Sequence, residues 1–265
     1  MNIKRSIYHY LSYSSFLIKN HYHHNNTIYP CFHSLRNNNK MSYLKPNYFI
    51  CIPIKNNNIC NELINIQKHV LVKYDELKDC IIERNKFHIS LLILHIKKNQ
   101  IELSKEAFNE AMEKIKKNMN NEKICFEKLD TFRNDVLYLS LKEDSNKYII
   151  NIINHLIDSF SKRGIKIIFN NKKPAKEILS NNNKKELNKN SNDLQHITPH
   201  LTLMKNSYMK KMYMNKKPQI LPFFYTDYDL TNLLKEQIDI QKIQFLEMDM
   251  DTSTSYYKIV SEFNL

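Results

Sequence analysis

F-H-I-S-L-L-I-L at residues 87–94 and P-H-L-T-L-M-K at residues 199–205 each set a His-x-Ser/Thr triplet in an apolar run. Successive side chains of a β-strand point to opposite faces, so the His and the hydroxyl residue of each triplet share a face. Two such strands placed opposite each other would present two imidazoles and two hydroxyls to one cleft. This set can move protons at a phosphodiester without a metal, while the hydroxyls hold the phosphate.

The triplet alone is a weak signal, because about one match is expected by chance among 11 histidines when Ser and Thr fill roughly a tenth of positions. A third match at 196–198 follows a polar stretch and is cut off by a proline. The spacing leaves two interpretations open. The strands are either core strands with hydrogen-bonded histidines, or the carriers of a catalytic pair, His88 and His200, with Ser90 and Thr202 on the phosphate.

Composition excludes several classes of site. The chain of 265 residues has one glycine, which excludes a Gly-rich phosphate loop, a P-loop and a dinucleotide fingerprint. Its five cysteines are odd in number and lack C-x-x-C spacing, which favours reduced thiols over disulfides. The cluster His21, His23 and His24 has no acidic or Cys partner, so we expect no metal site and no cofactor.

The net charge of +13 is concentrated in two polar segments. Residues 1–45 carry six Lys or Arg and no acid, and residues 171–195 carry six Lys against three acids. Basic segments attract RNA or anionic membranes, but the rest of the chain is only mildly basic. The charge therefore predicts no basic footprint on the core.

These two segments also predict the domain organisation. Residues 1–44 are predicted to be a disordered or targeting extension, resembling an organelle transit peptide or carrying a signal-like apolar patch at 16–18. Location is thus left open between cytoplasm or nucleus and an organelle. Residues 171–195 are predicted to be a low-complexity insert, inert or acting as a lid, within a domain spanning 45–265. No run of 18 apolar residues exists, so no transmembrane segment is expected.

Periodicity within 45–265 predicts an α+β fold. Ser104 and Ser145 are candidate N-caps of two helices, and Gly164 is expected to end the second in a left-handed conformation. Because a His-x-Ser/Thr strand occurs in each half, we expect two lobes of like design around a central cleft. The predicted strands are 46–54, 87–96, 123–129, 136–141, 165–169, 200–204, 241–247 and 256–262, and the helices are 60–83, 104–119, 145–163 and 228–236.

Four collinear motifs resemble a known family. P-N-Y-F-I-C-I-P-I (46–54), the two triplet strands and T-F-R-N-D-V (131–136) are similar to the 2H phosphoesterase superfamily, which includes the 2′-5′ RNA ligase-like proteins. The similarity is closer still to the central phosphoesterase-like domain of A-kinase anchoring protein seven. The resemblance covers about residues 45–262, interrupted by the insert, and implies a bilobal fold of antiparallel sheets and helices.

The resemblance also implies a function and a site. The expected activity is metal-independent cleavage or ligation at a 2′-5′ linkage or a 2′,3′-cyclic phosphate, so the expected partner is a nucleotide or RNA substrate. His88 and His200 would be the acid/base pair, and Ser90 and Thr202 would bind phosphate. Phe132 would stack on the base, unless it is a plain core or loop residue.

The chain departs from the family pattern in the loop that holds Phe132. The family has a Gly-rich loop there, whereas this chain has Arg133 and Asp135, so Arg133 would contact a phosphate or the loop would close the cleft. Strict alternation along the strands predicts that His95 and Lys205 face away from the triplets.

Two further functions compete with the enzyme. One is a module that binds a nucleotide or RNA with little or no catalysis. The other is an anchoring scaffold for a kinase regulatory subunit, which requires an amphipathic helix outside the phosphoesterase domain. Residues 1–45 show no long amphipathic stripe of apolar residues, so binding of a kinase subunit is not expected from this chain alone.

Overall fold

The structure, a computed structural model, describes residues 44–118, 122–168, 197–208 and 218–265. The predictions made for 1–43, for the insert at 171–195 and for His196 lie outside the described residues. Within the described ranges, no helix is both long enough and apolar enough to cross a membrane. Four cysteines of these ranges are free thiols, and three of them are buried.

The described residues form one mixed sheet-and-helix fold in which every strand pairing is antiparallel. The strand order is β7-β3-β4-β6-β2-β1-β8-β9, with β5 paired to β2 beside this path. This confirms the predicted α+β class. The strands are β1 Tyr48–Pro53, β2 His88–His95, β3 Ile124–Phe132, β4 Val136–Leu141, β5 Lys166–Ile167, β6 His200–Lys205, β7 Gln237–Ile238, β8 Lys242–Asp251 and β9 Tyr256–Asn264.

The sheet consists of two halves with the same design. In each half the triplet strand is innermost, followed outward by three more strands: β2-β1-β8-β9 on one side and β6-β4-β3-β7 on the other. The triplet strands β2 and β6 are neighbours at the centre of the sheet. The two-lobed arrangement expected from the repeated motif therefore places both triplets at the junction of the halves.

Helices cover one face of the sheet and form the main core with it. Each helix carries an apolar stripe, and the rings of Phe108 and Phe160 pack on Phe245 of β8 at centroid distances of 5.9 and 6.1 Å. All three rings are fully buried, so burial of apolar area here holds the helices on the sheet. The helices are α1 Asn57–Lys73, α2 Ile101–Asn118, α3 Glu143–Lys162 and α4 Thr231–Lys235.

Two predicted helix caps are wrong. The hydroxyl of Ser104 lies inside α2 and donates to the carbonyl of Gln100, one turn earlier. Ser145 lies in the first turn of α3, and its hydroxyl accepts from the backbone N–H of Cys125 on β3. Both serines are buried against other elements, which the periodicity of a single helix does not reveal. The first helix also ends at Lys73, and short 3-10 turns replace its predicted continuation to residue 83.

The end of α3 follows the prediction. Gly164 has φ +66°, its N–H donates to the Ser161 carbonyl at 2.9 Å, and the Ile165 N–H donates to the Phe160 carbonyl at 3.1 Å. These two bonds form a Schellman motif, which satisfies carbonyls that the helix end leaves without partners. The only glycine of the chain thus lies where a left-handed residue is required.

We predict that Gly164→Ala lowers the free energy of unfolding by about 1 kcal/mol, because a β-carbon disfavours the left-handed backbone. An added Cβ would meet no atom within 4 Å, so no steric clash contributes. Gly164→Asn should cost less, since Asn tolerates this conformation. Urea denaturation of the three proteins checks this, and equal stability of the Ala variant and the wild type would contradict it.

Candidate active site

The four triplet side chains meet at the centre of the sheet. The backbone pairing of Ile89 with Leu201 is the only β2–β6 pair within the described residues. Because the strands are antiparallel, this pair places the His of each triplet opposite the hydroxyl residue of the other. The four side chains are half-buried on the sheet face opposite the main core. The structure therefore brings together the four residues that the sequence selected, in a two-fold arrangement.

Both imidazoles are held in the same way. The Nδ1 atom of His88 lies 2.7 Å from the carbonyl oxygen of Lys86, and that of His200 lies 2.7 Å from the carbonyl oxygen of Thr198. A carbonyl only accepts, so Nδ1 carries the ring proton and Nε2 of the neutral ring is left as an acceptor. The Nε2 atom of His88 lies 3.1 Å from Ser90 Oγ, whose hydroxyl can donate to it. Each ring thus has one basic nitrogen available on the triplet face of the sheet.

Both histidines are weaker bases than free histidine. Burial lowers the pKa of His88 to about 4, the bond to the Lys86 carbonyl opposes this shift, and the charges of His200 and Lys205 add to it. Burial also lowers the pKa of His200, again opposed by its backbone bond and aided by the charge of Lys205. Both rings are therefore neutral near pH 7, and either can accept a proton there.

A β-bulge interrupts each triplet strand three residues after its histidine. Opposite β1 the pairing steps from Ser90 to Leu92, and opposite β4 it steps from Thr202 to Met204. The extra residues are Leu91 and Leu203, and in both strands the extra residue and its successor are buried. A bulge of one residue reverses the facing of every side chain that follows it.

The bulges overturn the two predictions from strict alternation. His95 and Lys205 lie on the same sheet face as the triplets, because one extra residue separates each from its triplet. His95 is nevertheless at the far end of β2, where its Nδ1 lies 2.7 Å from the carbonyl oxygen of Lys45. Lys205 is exposed, and its charge reaches both triplet imidazoles.

A buried glutamine supports the second bulge. The Nε2 atom of Gln67 on α1 donates to the carbonyls of Leu203 and Ile82, both at 2.8 Å. The N–H of Ile82 donates to the same Leu203 carbonyl at 2.9 Å. The extra residue of a bulge loses its ladder partner, so these bonds satisfy a carbonyl that would otherwise be buried without one.

Aromatic rings flank each imidazole. Phe49 and Tyr257 lie 5.3 and 6.2 Å from His88, and Phe132 and Tyr138 lie 4.9 and 5.2 Å from His200, all as ring-centroid distances. Burial among these rings is the physical cause of the lowered histidine pKa values. The two halves of the sheet thus repeat the aromatic walls as well as the triplets.

Phe132 lies at the base of a tight hairpin between β3 and β4. Its ring stacks on Tyr138 at 4.0 Å with an interplanar angle of 16°, and it is half-buried. Arg133 and Asn134 have φ 54° and 57°, and the Asp135 N–H donates to the Phe132 carbonyl at 2.9 Å, which is typical of a two-residue type I′ turn. Arg133 is exposed at the tip.

Sequence reasoning missed four residues beside the triplets. Phe49, Tyr138 and Tyr257 were given no site role, and Lys205 was expected on the wrong face. A sequence signal exists for Lys205, because two adjacent apolar residues, Leu203 and Met204, precede it where alternation demands a polar one. The described residues hold no group of three His, Cys, Asp or Glu side chains suited to a metal.

Comparisons with known proteins give the following matches. E. coli LigT in apo form is 12% identical over 83% of this chain and 98% of that one, with a TM-score of 0.47. The protein TT0787 of Thermus thermophilus is 10% identical over 83% and 97%, with a TM-score of 0.49. The PDE domain of MHV ns2 is 17% identical over 61% and 84%, with a TM-score of 0.41. No curated protein sequence matches the chain.

A family model matches most of the chain. It describes the AKAP7 2′5′ RNA ligase-like domain and matches residues 46–265, which include both triplets and all nine described strands. The family resemblance seen in the motifs is thereby confirmed. The chain belongs to the family of the AKAP7 2′5′ RNA ligase-like domain.

Proposed function

We propose that the protein is a metal-independent phosphodiesterase that acts on 2′-5′-linked or 2′,3′-cyclic phosphodiesters of RNA or small nucleotides. The observation that carries the proposal is the matched pair of imidazoles. Both have Nδ1 fixed by a backbone carbonyl, and both triplet strands meet at the centre of the sheet. Membership in the family is consistent with phosphoesterase chemistry.

In the proposed reaction His88 is the general base and His200 is the general acid. His88 has the pKa of about 4 and so stays neutral, which leaves Nε2 ready to take a proton from the attacking hydroxyl or water. An anionic phosphate bound between the rings favours the charged form of an imidazole, so His200 acquires the proton that it gives to the leaving oxygen. The hydroxyls of Ser90 and Thr202 donate to the unesterified phosphate oxygens.

The nucleoside is proposed to lie against the wall of Phe132. One face of this ring is covered by Tyr138, and its edge meets His200, so a base stacked on the free face would lie beside the general acid. Arg133, exposed at the tip of the same hairpin, is proposed to contact a substrate phosphate.

We predict that His88→Ala and His200→Ala each lower turnover by about 10²–10⁴-fold, as expected for the loss of a general acid or base. The double variant should be little worse than either single one, because the two groups act in one step. His95→Ala is the matched control, since it lies on the same strand and face as His88. Turnover of a panel of 2′-5′, 3′-5′ and 2′,3′-cyclic substrates in EDTA measures this.

The two-histidine mechanism would be refuted by loss of wild-type activity in EDTA. Multiplicative effects of the two single substitutions would refute it as well. A wild-type protein that binds nucleotides but turns over none of the panel would instead indicate a binding module.

The pH profile of kcat/KM should be a bell with its optimum on the acid side of neutrality. Activity should rise with pH as His88 loses its proton near pH 4. It should fall again as His200 loses its proton, since the pKa of His200 lies below the ordinary histidine value of 6.5. Since kcat/KM reports the free enzyme, bound phosphate does not shift these limbs. The profile of kcat should reach its maximum at higher pH, and a kcat/KM optimum on the alkaline side would contradict the scheme.

Phe132→Leu tests the stacking wall. It should raise KM for an adenine substrate by about 10-fold while leaving kcat within a few-fold, because stacking on an aromatic ring is worth about 1–3 kcal/mol per base. Leu keeps apolar volume against Tyr138 and His200, so the acid should keep its environment. A fall in kcat with unchanged KM would show that Phe132 serves the packing of His200 instead.

A further inference from the structure

We infer that Lys205 is a substrate-binding residue. Its ammonium binds an unesterified phosphate oxygen on the side of the site where His88 and Thr202 lie. It supplies a fixed positive charge to the reaction and determines which way round the substrate lies. The inference rests on the proposed function and adds to it a residue outside both triplets.

The bulge places Lys205 at the site. With Leu203 as the extra residue, Lys205 follows Thr202 on the same face at two ladder steps, about 7 Å along the strand. Because β2 and β6 run in opposite directions, this displacement leads away from His200 and towards the end occupied by His88. A lysine side chain spans such a gap, and its exposure leaves the ammonium accessible to a ligand.

The charges of the free site favour a fixed cation beside it. At neutral pH both imidazoles are uncharged, and the two triplet hydroxyls are neutral donors. A phosphodiester carries a negative charge that its unesterified oxygens hold through the transition state, where fixed positive groups stabilise it most. Lys205 is close enough for its charge to disfavour protonation of both imidazoles, and the same field attracts the phosphate.

Lys205 also breaks the two-fold symmetry of the site. The position equivalent to it in the other half, five residues after the histidine, is Ile93 on β2. Each follows its triplet by one bulge, and both lie on the triplet face. One position is therefore cationic and its counterpart apolar, although the triplets themselves are equivalent. An anionic substrate is thereby given one preferred direction between base and acid.

The test compares Lys205→Gln, Lys205→Arg and the control Lys117→Gln, an exposed lysine of α2 on the helical side of the sheet. Lys205→Gln should lower kcat/KM for 2′,3′-cyclic AMP and a 2′-5′ diadenylate by about 10- to 100-fold, the worth of a hydrogen bond to a charged group. Lys205→Arg should restore most of the loss, and Lys117→Gln should match the wild type. Thermal unfolding confirms that all variants are folded.

Calorimetry separates this inference from the proposed function. Adenosine 3′-monophosphate should bind Lys205→Gln about 10-fold more weakly than the wild type, while adenosine should bind both equally, since only the phosphate meets the ammonium. If the wild type turns over no substrate, the proposed function fails and the binding result alone decides the role of Lys205. Equal monophosphate affinity of Lys205→Gln and Lys117→Gln would overturn the inference.

Moving the lysine from one half of the sheet to the other tests whether Lys205 sets the direction in which the substrate binds. In Lys205→Ile/Ile93→Lys the cationic end moves to the side of His200 and Ser90. This variant should bind the monophosphate better than Lys205→Gln, yet recover less than a tenth of wild-type kcat/KM, because the substrate then lies with the acid and base exchanged. Full recovery of kcat/KM would overturn the directional part of the inference.

Discussion

The junction between the two halves of the sheet depends on one backbone pairing, Ile89 with Leu201. Both side chains are fully buried in the main core, so their packing fixes the two strands from the helical side of the sheet. The triplet side chains lie on the opposite face. Side-chain facing in a strand has a period of two, and a slip of one residue would turn a whole triplet into the core. The geometry of the site is thus inherited from the packing of two apolar residues that take no part in its chemistry.

The two β-bulges also determine which side chains lie beside the triplets. An extra residue in each strand ends the alternation just after the hydroxyl position and increases the local twist. In β6 the cost of the extra carbonyl is offset by Gln67, which is 5% exposed and reaches from α1. The helix layer on one face thus satisfies a backbone carbonyl of the strand that carries His200 and Thr202 on the other face.

Much of the fold followed from the sequence. The apolar runs gave the strand positions, Gly164 marked the end of α3, and the repeated triplets gave the two-lobed design, because each depends on local pattern. The cap at Ser145 was wrong because its hydroxyl bonds a tertiary partner, the Cys125 N–H of β3. The cap at Ser104 was wrong because α2 begins earlier, at Ile101, so its hydroxyl bonds the Gln100 carbonyl one turn before it. The predicted facing of Lys205 was wrong because strict alternation was assumed across a bulge, which the sequence marks only by the adjacent apolar residues Leu203 and Met204.

The histidine orientation has a consequence for how the site tolerates change. The Nδ1 atom of each imidazole is held by a main-chain oxygen two residues earlier, at Lys86 and Thr198. Every amino acid supplies that oxygen, so substitutions at these two positions leave the ring tautomer intact as long as the strand begins where it does. The path of the backbone thus determines which ring nitrogen carries the proton. The surrounding side chains can change during evolution without altering it.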